Sequence, residues 1–475
     1  MIDKFQLLTL IICTIPIINV LTIKLFKNNY KLTGLLNKIF PALSLILVIA
    51  LFFNNVSGGF LLFSTLSKLD ISFSLNDNSL IFLIIMNIFW LFFVIYLQKF
   101  VSLSSTNHVI YFIESFLLII IALTLLAVSD NLFSILIFYQ VITVLFYQYS
   151  NKFLHKKAGQ SSSYFSTVIY TQSLIMMVGV VYAYTIFDSI SLKFIGENIN
   201  NLKSEKLEHL FVLLILPTLL FSVFPFYLFY RKINLNPLVI FVLFFFLYFL
   251  SHSLLFVKFY FEIFKHINIS NLALMIFEVI FLINIFAASI FLVFSKNLKS
   301  AFFYLFFQQL LIAIYSTFLL LFFKYELPIL PLISFAFSFL VIVFSLSNIL
   351  LFFENSQKKK QSKILGNLKI STILLVLAIG NVAAIIPSIG MKVSFIAISK
   401  VIEEKLILSA IIYTINFFAV IIFFIKIIFP LLLKDHEHEQ FIQDEELARK
   451  IDRNYHLIIP SIIFALSIFL LPIII

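Results

Sequence analysis

Residues 109–149 of the chain read VIYFIESFLLIIIALTLLAVSDNLFSILIFYQVITVLFYQY. Two long apolar runs flank the short polar stretch Ser129-Asp130-Asn131. An α-helix needs about 20 consecutive apolar residues to cross the hydrocarbon core of a bilayer. This stretch therefore predicts two membrane-spanning helices joined by a tight turn.

The same pattern extends over the whole chain. Of its 475 residues, 62% are hydrophobic and 12% are charged, and the mean hydropathy is +1.12. Fourteen apolar runs cover residues 5–23, 35–53, 79–97, 109–128, 132–149, 166–187, 210–229, 237–257, 272–294, 301–322, 331–353, 371–398, 406–429 and 457–475. The second is short and the twelfth is interrupted, so the number of spans lies between about twelve and fifteen. Because period-two alternation is absent and lipid leaves the backbone few other solutions, we predict an all-α polytopic membrane protein.

The net charge of +11 is distributed unevenly. With the amino terminus outside, the cytoplasmic loops hold 21 of the 33 Lys and Arg residues and the opposite loops hold nine. This positive-inside bias places both termini on the non-cytoplasmic side and accounts for the basic charge without nucleic acid. We predict a multi-pass protein of the bacterial plasma membrane or, alternatively, of the mitochondrial inner membrane.

Few residues suit a cofactor or a metal. Cys13 is the single cysteine and lies in the first span, which we interpret as a retained helix, so no disulfide framework is expected. The segment Asp435-His436-Glu437-His438-Glu439 has metal-ligating residue types without a recognised ligand spacing, and we interpret it as a solvated loop. Phosphate-binding, dinucleotide and flavin motifs are absent. We predict no cofactor, no metal and no redox site on this chain.

Helix-breaking residues occur in two of the predicted spans. The seventh contains Pro217 and Pro225, and the twelfth contains Gly380, Pro387 and Gly390. Proline removes a backbone donor, so both spans should be kinked or interrupted. Broken helices at corresponding places in two halves indicate inverted repeats, although prolines are also common in membrane helices generally.

The spacing of these breaks divides the chain into four regions. Helices 1–3 occupy residues 1–108, a first five-helix repeat (helices 4–8) occupies 109–262, and a second (helices 9–13) occupies 270–434. A polar loop and helix 14 fill 435–475.

Four stretches, in this order and spacing, resemble one family. They are Ile71-Ser72-Phe73-Ser74-Leu75-Asn76-Asp77, Asp130-Asn131-Leu132 with Phe138-Tyr139-Gln140, Phe224-Pro225-Phe226-Tyr227, and Asn297-Leu298-Lys299-Ser300 with Tyr304 and Gln308-Gln309-Leu310. The chain resembles the antiporter-like membrane subunits shared by respiratory complex I (the L, M and N type chains of NADH-quinone oxidoreductase) and the Mrp-type multisubunit sodium/proton antiporters. The resemblance covers nearly the full length and implies other antiporter-like or complex I-like subunits as partners.

The resemblance also implies a row of ionisable residues in mid-membrane, and here that row is largely replaced. The family's charged or titratable positions fall on Gln140, Leu220, Tyr227, Tyr248 and Gln309, and near Ser394. Gln and Ser do not titrate, and Tyr does so only near pH ~10. The chain is therefore predicted to keep the scaffold of a proton antiporter with most of its relay neutralised.

A few ionisable residues remain within the predicted spans. Glu114 and Glu278 occupy similar depths in the two proposed repeats, and Lys392 lies two residues from Ser394. As ion-pathway groups they would form a relocated relay, supported by water at Gln140, Tyr248 and Gln309. The alternative is that each glutamate is hydrogen-bonded to Ser or Tyr, or reaches the interface. We expect His252, Lys258 and Lys426 to face the headgroups.

Three functional hypotheses follow. The first is a membrane subunit of a complex I-like or Mrp-like assembly that translocates protons or sodium ions. The second is a non-pumping structural subunit of such a complex. The third is an unrelated 14-helix exporter. Enzymatic activity is left open, at most as part of an NADH-quinone oxidoreductase-like complex.

Overall fold

A computed structural model describes residues 4–26, 30–54, 58–63, 70–103, 109–154, 159–220, 238–265, 271–295, 298–323, 325, 328–355, 368–384, 387–428 and 451–474. The chain divides into two compact units. Unit 1 comprises the described residues of Met1–Phe221 and Phe244–Asn268, and unit 2 comprises those of Asn236–Leu243 and Ile269–Ile475.

Unit 1 combines helices with a two-stranded antiparallel sheet. Its helices are α1 Lys4–Leu25, α2 Tyr30–Phe53, α3 Asp77–Leu103, α4 Val109–Val128, α5 Leu132–Leu154, α6 Gly159–Phe187, α7 Leu192–Asn198, α8 Ser204–Leu220 and the greater part of α9 Leu238–Phe259. A 3-10 turn, Ile199–Asn201, follows α7, and a π-helical turn, Tyr260–Phe264, continues α9. Strand β1 Gly58–Phe63 pairs with β2 Ile71–Leu75, with Gly58 opposite Leu75.

Unit 2 is helical throughout the part that the structure describes. It contains α10 Asn271–Phe294, α11 Leu298–Phe322, α12 Leu330–Asn355, α13 Lys369–Val382, α14 Ile389–Glu403, α15 Ile407–Phe423 with a π-helical turn Phe424–Ile428, and α16 Tyr455–Ile474. Nearly every residue of α11 and α12 is buried, so these helices form the centre of the unit. Helix α10 packs on α15, and α16 packs on α12.

The prediction of a multi-pass helical membrane protein is confirmed. Among the described residues, ten helices are long and apolar enough to cross a membrane. Three further apolar helices are shorter and cover Ile113–Val128, Leu132–Gln148 and Lys369–Val382. The total of fourteen spans stays a prediction.

Two local elements were not predicted. The sheet is an exception to the all-α prediction, because it adds a strand pair before α3, of which only β2 falls within the stretch 71–77 that carries the resemblance. The connection between α6 and α8 contains a further short helix, α7, whose Gly196 packs against the backbone of Glu262. Hydropathy predicted neither, because both are too short to be distinguished from loops by periodicity.

The two predicted helix breaks differ in the structure. Helix α8 continues through Pro217 to Leu220, so Pro217 does not end it, and Pro225 lies outside the described residues. The twelfth span forms two helices: α13 ends at Val382, and α14 begins at Ile389, two residues after Pro387. Ala384, between them, has a left-handed φ of 57°, which an uninterrupted α-helix does not allow.

Candidate ion-translocation site

A row of buried and half-buried polar side chains, hydrogen-bonded in pairs, links α5, α6 and α9 in unit 1 and contacts the backbone of α8; we call this row the buried chain of unit 1. Ser173 donates from Oγ to Oε1 of Gln140. Gln172 directly precedes Ser173 in α6. It accepts at Oε1 from the hydroxyl of Tyr248 and donates from Nε2 to the carbonyl oxygen of Pro217 at 3.3 Å. Polar side chains thus meet between four apolar helices, where each partner relieves the cost of burying the other.

Close helix packing brings α6 and α8 together beside this chain. Pro217 cannot donate to the carbonyl of Leu213, four residues earlier. Gly179 of α6 lies against that carbonyl, and a Cβ at position 179 would come within 2.9 Å of the Leu213 oxygen. The proline and the glycine together allow the approach that sets the position of Gln172.

His252 extends the chain within α9. Its Nδ1 lies 2.8 Å from the carbonyl oxygen of Tyr248, and its Nε2 lies 3.1 Å from the hydroxyl of Tyr139. Because a carbonyl only accepts, Nδ1 carries the proton and the neutral ring accepts from Tyr139 at Nε2. His252 is 3% exposed. The prediction that it faces the headgroups is therefore wrong.

In unit 2, Glu278 is the carboxylate at the head of a second chain. Glu278 of α10 is 5% exposed and accepts at Oε1 from Oγ of Ser409 on α15. The hydroxyl of Tyr315 on α11 lies 2.6 Å from Oγ of Ser409 and 3.3 Å from the same carboxylate oxygen. The shorter distance assigns the tyrosine proton to Ser409, which gives a relay of donors from Tyr315 through Ser409 to Glu278.

Further along α11 the same helices are joined by uncharged side chains. Gln309 donates from Nε2 to Oδ1 of Asn416 at 2.8 Å, and the hydroxyls of Ser316 and Tyr413 lie 2.6 Å apart. The interface between α11 and α15 is thus polar along several turns inside an otherwise apolar unit.

Asn381 holds the break between α13 and α14. Its Nδ2 donates to Oγ of Ser338 on α12, and its Oδ1 accepts from the backbone nitrogen of Gly390 at 2.8 Å. Lys392, one turn into α14, donates from Nζ to the carbonyl oxygen of Pro472 at 3.2 Å. Lys392 therefore contacts the end of α16 and does not join the Glu278 chain.

The predicted site residues divide into two groups. Gln140, Tyr248, Glu278 and Gln309 all take part in the buried hydrogen-bonded chains. Glu114 is half-buried in α4 and contributes none of the hydrogen bonds just described. Of the other family positions, Ser394 is half-buried in α14, Leu220 ends α8, and Tyr227 lies outside the described residues.

Two lysines near the ends of the spans, Lys258 and Lys426, were predicted to face the headgroups. Lys258 is 1% exposed and donates from Nζ to the carbonyl oxygen of Ser129, so its predicted headgroup position is wrong. Lys426 is exposed and donates from Nζ to the carbonyl oxygen of Val293 at 2.6 Å. Lys258 and Glu262 lie four residues apart, and this spacing is the sequence signal that could have indicated a charged face at the end of α9.

The described residues contain no group of three or more His, Cys, Asp or Glu side chains that could hold a metal ion. The acidic and histidine-rich segment 435–439 lies outside them.

Comparison with known proteins identifies the fold. No family model matches the sequence, and no curated protein matches it. The chain is similar to one in the structure of the Mrp complex from Dietzia sp. DQ12-45-1b, with a TM-score of 0.79 and 12% identity over 98% of this chain and 94% of that chain. It is also similar to a chain of the membrane-bound sulfane sulfur reductase, an archaeal respiratory membrane complex, with a TM-score of 0.73 and 10% identity over 97% and 99%.

The protein is thus a multi-pass helical membrane protein. Its fold is that of chains found in an Mrp complex and in a respiratory membrane complex, and this confirms the resemblance predicted from the motifs.

Proposed function

We propose that this chain is a membrane subunit of a complex I-like or Mrp-like assembly that translocates protons or sodium ions. The observation that carries the proposal is Glu278, a buried carboxylate that receives a relay of hydroxyl donors, in a fold shared with subunits of such complexes. Its partners are other antiporter-like membrane subunits and the lipid of a bacterial plasma membrane or, alternatively, a mitochondrial inner membrane.

The chemistry follows from which groups can change charge. A charged side chain at the centre of a membrane helix costs about 2.5–3.5 kcal/mol on insertion scales, so such residues are kept mainly where function needs them. Glu278 can take up and release a proton, and Tyr315 and Ser409 can pass one along their hydroxyls. Gln140, Tyr248 and Gln309 hold partners or water in place without titrating near neutral pH. Most ionisable residues of the family's path are replaced. In this proposal, Glu114, Glu278 and Lys392 are the ionisable residues that carry the ion.

We also propose fourteen spans with two inverted five-helix repeats, both termini lying on the non-cytoplasmic side. Equal spacing supports the repeat. The separation in sequence between Glu114 and Glu278 equals the separation between the two π-helical turns, Tyr260–Phe264 and Phe424–Ile428.

Two lysines in or just before these turns give independent support for the repeat. Lys258 contacts Ser129 at the end of α4, and Lys426 contacts Val293 at the end of α10. Val293 follows Ser129 by the same number of residues as Glu278 follows Glu114. In each proposed repeat, therefore, a lysine near the end of the last helix donates to the carboxyl end of the first helix, where a cation is favoured by the helix dipole.

The test is ion flux in inside-out membrane vesicles that contain the chain with its native partners. The variants are Glu114→Gln, Glu278→Gln and Lys392→Ala, and the control is Glu205→Gln, an exposed glutamate of α8. We expect the first three to lose cation-driven pH change measured with a fluorescent dye, and the control to keep it. Unchanged flux in all three would contradict the proposed pathway.

A non-pumping structural subunit is the second candidate. Glu278 already accepts from Oγ of Ser409, with the hydroxyl of Tyr315 3.3 Å away, as a purely structural glutamate also requires. In that case Glu278→Gln lowers the melting temperature of the chain and leaves the flux of the assembly unchanged. The shared fold argues against the third hypothesis, an unrelated exporter.

A further inference from the structure

Unit 1 contains a group of charged side chains that neither buried chain uses. Lys258 and Glu262 come from the end of α9 and its π-helical turn, and Asp130 comes from the connection between α4 and α5. Glu262 is half-buried and accepts at Oε1 from Nδ2 of Asn76 at 3.0 Å. Asp130 is half-buried and directly follows Ser129, whose carbonyl oxygen accepts from Nζ of Lys258. We call Lys258, Glu262 and Asp130 the Lys258 cluster.

The backbone around the Lys258 cluster is fixed by local contacts. The backbone nitrogen of Asp130 donates to the carbonyl oxygen of Ser72 in β2 at 3.1 Å. Asn131 donates from Nδ2 to Oγ of Ser72 at 2.7 Å. On the other side, Gly196 of α7 approaches the carbonyl of Glu262 so closely that a Cβ there would lie 2.1 Å from its oxygen. The charged groups are thus held by four elements that cannot easily move apart.

The charges of the Lys258 cluster do not balance. One ammonium faces two carboxylates, which leaves one excess negative charge when all three groups are ionised. With a single ammonium present, the charge of Asp130 disfavours the ionisation of Glu262. Burial of the unbalanced charge adds a desolvation cost, because Lys258 is almost fully removed from solvent.

We propose that the Lys258 cluster is a proton-binding site that holds one exchangeable proton on the carboxyl group of Glu262. One proton brings the cluster to neutrality. The carboxyl group that remains ionised is then balanced by Lys258.

A proton fits this site better than an alkali cation. The carbonyl oxygen of Ser129, which would otherwise be a metal ligand, is already occupied by Nζ of Lys258. Asn76 presents its N–H group to Glu262, and a donor in that position repels a metal ion. The tethered ammonium therefore takes the place that a bound cation would need.

The position of the Lys258 cluster indicates the function of the bound proton. Lys258 and Glu262 lie on the same helix and its continuation as Tyr248 and His252, which belong to the buried chain of unit 1. Lys265, directly after the π-helical turn, is exposed. The Lys258 cluster therefore lies between solvent and that chain, as a loading site for protons entering unit 1. This site does not depend on Glu278 or on the proposed repeats.

Infrared difference spectroscopy of the purified full-length chain in lipid nanodiscs tests the proposal. All samples carry Glu278→Gln and Asp452→Asn, so that neither of these carboxyl groups contributes to the carbonyl band of protonated carboxyl groups. The band is followed between about pH 5 and about pH 9, a range above the ordinary carboxyl values, in choline chloride and then in sodium chloride. The added substitutions are Glu262→Gln, Asp130→Asn and, as the control, Glu205→Gln.

We expect a titrating band that corresponds to one proton per chain and that sodium leaves unchanged. Glu262→Gln and Asp130→Asn should each abolish it, because removal of either carboxylate leaves the other balanced by Lys258. Glu205→Gln should keep it. Both test substitutions are isosteric, and size-exclusion chromatography checks that they fold.

Other outcomes would overturn the proposal. A band that persists after Glu262→Gln means that Glu262 does not hold the proton, and a band that persists after Asp130→Asn means that the charge of Asp130 does not retain it there. Loss of the band on addition of sodium chloride means that the exchanged ion is not a proton. As a second variant, Lys258→Met should move the titration of the band to higher pH in chains that fold, and an unchanged titration would contradict the charge balance.

Discussion

The backbone nitrogen of Gly390 donates to Oδ1 of Asn381 at 2.8 Å across the break in the twelfth span. A Cβ at position 390 would come within 2.1 Å of the carbonyl oxygen of Asn381 and within 2.7 Å of its Oδ1. The glycine is therefore required by the close approach of two backbones, and the asparagine replaces hydrogen bonds that the broken helix cannot make for itself.

Gly390→Ala should destabilise the chain. The added methyl group has no space, so α13 and α14 must separate, at a cost of about 1–3 kcal/mol typical of overpacking. The apparent melting temperature in detergent measures the effect. Gly59→Ala is the matched control, because its nearest contact would be an ordinary 3.5 Å. Equal melting temperatures for the two variants would contradict the packing at the break.

Lys258→Met and Lys426→Met test the two lysine contacts at the helix ends. Lys258 is buried, and loss of its charge-assisted hydrogen bond to Ser129 should cost about 1.5–3 kcal/mol. Lys426 donates to Val293 from an exposed position, so its removal leaves no buried charge unpaired and little change is expected. Thermal unfolding of both variants checks the difference, and an equal loss of stability would contradict the assigned burial.

Asp452 should make stability depend on pH. Its carboxylate accepts from the backbone nitrogen of Ile370 at 2.9 Å and from Oγ of Ser371 at 2.8 Å, at the start of α13. Burial raises the pKa of Asp452, and the hydrogen bonds from Ile370 and Ser371 offset the rise only in part. The folded state therefore holds the proton more tightly than the unfolded state, whose value is about 3.9.

The sign of the effect follows from linkage. The contribution of Asp452 to stability is largest below the unfolded pKa and decreases as the pH rises through the higher folded pKa. Asp452→Asn should remove this part of the pH dependence, so the melting temperatures of the variant and the wild type should diverge in this acidic range. The same pH profile for both proteins would show that Asp452 titrates normally.

Cysteine accessibility tests the predicted topology. Cys13 is buried and is the only cysteine of the sequence, so Cys13→Ser gives a cysteine-free background. In that background, Lys203→Cys should react with a membrane-impermeant maleimide on intact cells. Lys24→Cys, also exposed, should react only after permeabilisation. The reverse pattern would invert the assigned orientation, and reaction of both on intact cells would contradict the number of spans between them.

Hydropathy and the helix-breaking residues predicted much of the fold. Long apolar runs identified the spans, and Pro387 and Gly390 marked the interruption between α13 and α14 correctly, because both features act locally on the backbone. The sheet was missed in part, since β1 has the composition Gly58-Gly59-Phe60-Leu61-Leu62-Phe63, and its pairing with β2 depends on a second segment.

The candidate site was less predictable. The resemblance indicated Gln140, Tyr248 and Gln309, and the charge within a predicted span indicated Glu278, but neither indicated the partners of these side chains. His252 and Lys258 were assigned to the headgroups because they lie near the end of an apolar run. Their partners Tyr139 and Ser129 are 113 and 129 residues away in the sequence, a distance at which periodicity carries no information.

The most direct test of the central claim is the composition of the native assembly. The chain, tagged at one end, is extracted from its own membranes in a mild detergent, and the intact complex is analysed by native mass spectrometry. We predict that it is recovered with other polytopic subunits of antiporter-like fold and that cation-driven proton flux requires the whole complex. A solitary chain that transports with full activity would contradict the claim.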